Sequence, residues 1–85
     1  MTVTVRGRRW RLEFARLKNM RGVCDSPDMQ DRRIRIAKRL EGEEQLDVTL
    51  HELLHAALWD LDEEAVDETA TDLARVLWKL GWRRE

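Results

Sequence analysis

The chain has 85 residues, 39% of them charged, and its 16 lysines and arginines nearly balance 17 acids. One domain of this length buries only about 60% of its unfolded surface, so the core is modest. A net charge of −1 argues against a general nucleic-acid binder, and no uncharged run is long enough to cross a bilayer, so neither nucleic acid nor membrane is expected as a partner.

In chain order, Thr2-Val3-Thr4-Val5 is a β-branched run closed by Gly7 and predicts a strand and turn. Trp10, Leu12 and Phe14 alternate with Arg9, Arg11 and Glu13, the pattern of a strand with one wet face. The two predict a hairpin around Arg6-Gly7-Arg8-Arg9. Residues 17 to 32 are polar and broken by Gly22, Ser26 and Pro27, with Val23-Cys24 as a short edge strand. Residues 33 to 37 alternate again as a third strand. Gly42 separates strand from helix. A first helix is predicted from about 43 to 59, on an apolar stripe of Leu46, Leu50, Leu54, Ala57, Leu58 and Leu61. Asp62 is placed as the N-cap of a second helix from about 63 to 80, with Gly81 at its C-terminal end and Trp82 folding back on the last turn. Trp59, Trp78 and Trp82 read as packing residues.

The charges are segregated, with arginines between Arg6 and Arg39 and acids between Glu41 and Asp72. Solvated faces with pairing between the halves are the expectation, ahead of a basic strand face for an acidic partner. Cys24 is the only cysteine, so no intrachain disulfide forms, and an inert thiol in a reducing compartment is expected. With no leader or membrane span visible, the expected location is the cytoplasm.

The first helix carries the chemistry. His51-Glu52-Leu53-Leu54-His55 is an H-E-x-x-H motif that holds both histidines of the chain. Residues four apart share a helix face, so two imidazoles can grip one metal ion from one side. Glu52, turned away from them, is positioned to act as general base on a water beside the metal. A catalytic zinc takes three protein ligands, and no third histidine exists. The remaining ligand should be an acid of the second helix.

Stepping about 100° per residue from Val66 puts Glu63 about 60° and Asp67 about 100° off the core stripe, while Glu64 and Glu68 face solvent. Counting outward from the connection near residue 60 sets Asp67 opposite the middle of the motif and favours it as the direct ligand. Without a metal, both acids would serve as N-terminal charges on the helix dipole.

Leu50-His51-Glu52-Leu53-Leu54-His55-Ala56 resembles the zincin superfamily of metallopeptidases. So does its setting between Ile34-Arg35-Ile36 and Glu63-Glu64-Ala65-Val66-Asp67, followed by Leu77-Trp78-Lys79-Leu80-Gly81-Trp82. Within the superfamily the chain is similar to small phage and bacterial zincin-like proteins. The resemblance implies an α+β fold in a single domain, 1–85. A small antiparallel sheet of about three strands occupies residues 1–40, and two antiparallel helices occupy 41–82. It implies one Zn²⁺ held by His51, His55 and one of Asp67 and Glu63, the other acid orienting a histidine, and Glu52 as general base. Residues 21 to 25 would be the edge strand that pairs with substrate. The implied activity is zinc-dependent hydrolysis of a peptide or protein substrate. The alternative is a non-catalytic zinc-stabilised interaction module. Zincins often stabilise the oxyanion with a tyrosine or a further histidine. This chain has neither, which leaves the metal or an arginine.

Overall fold

The computed structural model describes residues 1–84. Four strands, β1 (Thr2–Val5), β2 (Arg8–Ala15), β3 (Gly22–Cys24) and β4 (Arg33–Ala37), precede two helices, α1 (Gly42–Ala57) and α2 (Glu63–Lys79). Arg6 and Gly7 have φ of 49° and 78°. Two positive φ values make the two-residue turn whose twist suits an antiparallel hairpin, and β1 pairs β2 in that sense.

The expectation of about three antiparallel strands is corrected. The sheet has four strands in the order β1-β2-β4-β3. β4 pairs β2 in parallel, with Leu12 opposite Ile34 and Phe14 opposite Ile36, and pairs β3 antiparallel. A parallel pair needs a crossover of a dozen or more residues. The polar segment between β2 and β4 is that crossover, and it carries β3 along the outer edge. Alternation shows which face of a strand is buried but not which neighbour it takes.

β4 is therefore central, and Ile34, Ile36 and Ala37 are fully buried with Trp10 and Leu12 of β2. α1 lies across this face. It contacts β1, β3 and β4 on one side and α2 on the other, whereas α2 contacts no element but α1 among the described residues. Contacts between the helices pair residue 47 with 71, 51 with 67 and 55 with 63, so the two run in opposite directions.

The helix ends follow local chemistry. Asp62 accepts a hydrogen bond from the Ala65 N–H at 2.8 Å, the expected N-cap. At the other end Gly81 has φ of 94°, its N–H donates to Trp78 and that of Trp82 to Leu77. This pair of bonds is a Schellman motif. α1 stops at Ala57, earlier than predicted, because Leu58 leaves helical dihedrals.

Two other expectations change. Trp59 and Trp82 are 45% and 65% exposed, and the buried tryptophan is Trp10. Between the basic and acidic halves only one ion pair is seen among the described residues, Arg21 with Glu44 at 3.5 Å, so most of the charge is solvated. No helix among the described residues is long and apolar enough to cross a membrane.

Candidate metal centre

The buried line of α1 is Val48, Glu52 and Ala56, spaced four apart, and not the leucine stripe that the sequence suggested. Leu46, Leu50, Leu53 and Leu54 are half-buried, and Leu50 and Leu54, each two positions from Glu52, lie on the far side of the helix from it. Among the described residues Glu52 is the one buried charged residue, 6% exposed, under the edge strand β3. Burial holds its carboxyl above the ordinary range. The neighbouring His51 opposes this shift, and Glu63 adds to it.

Gly22 makes the space. A Cβ there would stand 2.9 Å from Cγ and Oε2 of Glu52 and from Cγ1 of Val48. The sequence marks Gly22 only as a chain breaker, and nothing in it links Gly22 to Glu52, which lies 30 positions away. Gly22→Ala should destabilise the protein by about 1–3 kcal/mol, because Glu52 and Val48 are packed and β3 must move outward. Urea unfolding measures this. An unchanged midpoint would mean that β3 shifts freely.

On the α2 side of α1, the histidines converge with two acids. His55 Nε2 stands 3.1 Å from His51 Nε2. The Glu63 carboxylate spans both, with Oε1 2.9 Å from His51 Nε2 and Oε2 3.2 Å from His55 Nε2. Asp67 Oδ1 lies 3.0 Å from the opposite ring nitrogen, Nδ1 of His51. The geometry thus seats Glu63 beside both Nε2 atoms and Asp67 behind His51, the reverse of the order expected for these acids. The cause is register. Residue 67 sits level with His51 and residue 63 with His55, so the longer Glu63 side chain reaches into the gap. Asp67 reaches only the near edge of one ring.

These donors fit a zinc ion. Donors about 2.0–2.1 Å from a tetrahedral zinc stand about 3.3 Å apart; the two Nε2 atoms are 3.1 Å apart, and the Glu63 carboxylate lies beside both, through a different oxygen for each, at 2.9 and 3.2 Å. His51 donating from Nδ1 to Asp67 presents a lone pair at Nε2. That lone pair then faces a carboxylate oxygen at 2.9 Å. Two acceptors so close repel unless a cation or proton lies between them. Glu63 and Asp67 are 65% and 63% exposed. Exposed ion pairs are weak and would hold this convergence poorly by themselves.

His51, Glu52, Glu63 and Asp67 share a cleft of about 540 Å³ with Arg21, Gly22, Asp47 and Thr71. Thr71 donates to Asp47 at 3.0 Å and ties the helices beside the cleft. Glu64 and Glu68 are exposed and do not line it. Cys24 lies outside the group formed by His51, His55 and Glu63. Burial, with Glu52 and Asp25 nearby, pushes its thiol up to about 12, and its Sγ donates to the Asp25 carbonyl. A scan against protein-family models, a search of curated proteins and a search of solved structures each found no match.

Proposed function

We propose that this protein is a zinc-dependent, zincin-like peptidase in which His51, His55 and Glu63 hold the metal. Asp67 orients His51, and Glu52 is the general base. The observation that carries this reading is the convergence of two imidazole Nε2 atoms and one carboxylate within 4.8 Å of one another, next to a buried glutamate.

Zinc bound there would lower the pKa of a water and polarise a peptide carbonyl. Asp67 fixes the His51 ring through Nδ1 and so holds its Nε2 toward Glu63. Glu52 accepts a proton from the attacking water and returns it to the leaving amine. Its raised pKa suits both transfers, since the carboxylate is a stronger base and its conjugate acid lies nearer neutrality. Arg21 is the one lysine or arginine lining the cleft, and it is our candidate for the oxyanion. β3 is the edge of the sheet above the motif, so an extended substrate can pair with it.

The chain has no tyrosine and no histidine outside the motif. That favours one second reading, a zinc-stabilised interaction module that does not turn over substrate. Both readings expect about one zinc per chain. Elemental analysis of protein prepared without chelator, followed by zinc titration, should find it. Zinc at 100 times its dissociation constant should also raise unfolding stability by about 2.7 kcal/mol. A parent chain that binds no better than His51→Ala would remove the metal centre from the proposal.

A further inference from the structure

Among the described residues α1 packs closely on β1, β3 and β4 but not on β2. A groove of about 320 Å³ is left beside the inner side of β2. Leu12 and Phe14 of β2, Leu46 of α1 and Trp78 of α2 line it, together with the segment that follows α2. It shares no lining residue with the metal cleft, so a ligand here is independent of the metal reading.

The walls are mostly apolar, and a hydrocarbon that covers them gains the free energy of removing both surfaces from water. The volume is at the lower end of the range for small-molecule sites. At roughly 30 Å³ for each water-sized unit, it holds about ten such units. That is room for a short aliphatic chain and too little for a length of polypeptide.

The charge around the groove has one sign. Among the described residues, Arg83 and Arg84 are its only charged side chains, and no acid lines it, in a chain whose acids outnumber its lysines and arginines. Each guanidinium lies over an aromatic ring, Arg83 over Trp78 at 3.4 Å and Arg84 over Phe14 at 3.8 Å. These contacts hold both cations against the apolar walls. Nη1 of Arg83 donates to the carbonyls of Trp78 and Trp82. Arg84 is exposed, and the planar fork of an arginine matches the two oxygens of a carboxylate. Apolar walls with two cations and no acid favour an anion that carries a hydrocarbon body, and disfavour a cation with the same body.

We infer that this groove binds a small aliphatic carboxylate, with its chain against Leu12, Leu46 and Trp78 and its carboxylate on Arg84.

Decanoate is the probe, titrated into the full chain from about 10 µM to about 10 mM and followed by calorimetry. Saturable binding of one decanoate per chain is expected, with a dissociation constant below about 1 mM. Decylammonium, the same chain with the opposite charge, should bind at least about 10-fold more weakly. Arg84→Glu should weaken decanoate binding by about 10–100-fold. Arg9→Glu makes the same change in net charge on an exposed side chain outside the groove, and should change binding by less than about 2-fold. Thr49→Trp fills the groove from α1 and should abolish binding. Far-ultraviolet circular dichroism checks that each variant is folded. No saturable binding of decanoate by the parent chain would overturn the inference. Decylammonium binding as tightly as decanoate would overturn it too, as would Arg9→Glu weakening decanoate as much as Arg84→Glu. Sedimentation equilibrium tests the other occupant: a dimer that Thr49→Trp disperses would give the groove to a second copy of the chain, and the carboxylate site would fall.

Discussion

Glu63→Gln should lower zinc affinity by more than about 100-fold, and Asp67→Asn by only about 10–100-fold. The difference follows from which ring nitrogen each acid faces. Glu63 stands beside Nε2 of both histidines, at 2.9 and 3.2 Å, so its amide would replace an anionic donor with a neutral one. Asp67 bonds to Nδ1 of His51 at 3.0 Å. Its loss frees the ring to rotate and lowers the basicity of Nε2, but leaves the three donors in place. Glu64→Gln and Glu68→Gln serve as controls and should be nearly silent. Competition titration against a chromophoric chelator gives the ranking. If Asp67→Asn proved the more damaging, His51 would have to turn its other nitrogen to the metal, and our assignment would fall.

Glu52→Gln should keep zinc and fold while lowering peptide hydrolysis by about 10²–10⁴-fold. The substitution keeps the shape of a side chain that is 6% exposed beneath β3, and it removes the oxygen that can accept a proton. It also replaces a group whose charged form burial disfavours, so unfolding stability should not fall. The measurement is turnover of a broad panel of peptides and unfolded proteins, with and without chelator, alongside zinc content. Equal activity in Glu52→Gln and the parent would reject Glu52 as the base. Full zinc content with no hydrolysis by the parent across the panel would move the proposal to the zinc-stabilised interaction module.

The legible part of this protein is its local chemistry. A β-branched run marked β1, alternation of apolar and polar residues marked β2 and β4, and Gly7 marked the hairpin turn. A capping aspartate and a terminal glycine bounded α2, because caps are made by residues within one or two turns of the helix end. The spacing of His51 and His55 put them on one face before any fold was known, since a helix alone decides that. Glu63 and Asp67 were both legible as acids on the flank shared with the histidines.

Tertiary packing decided the rest. The parallel pairing of β2 with β4 depends on where the crossover carries β3, and strand periodicity holds no record of that. The line of α1 that meets the sheet is Val48-Glu52-Ala56, and the more hydrophobic Leu50 and Leu54 lie on the far side of the helix from it. Gly22 gives Glu52 its room, and only a glycine on a distant strand could show that a charged position faces inward. The order of the two acids turned on the register between the helices and on one methylene of side-chain length. Sequence determines which residues share a helix face; it takes the packed pair of helices to set which of them stand level, and so which carboxylate enters the gap between the two histidines.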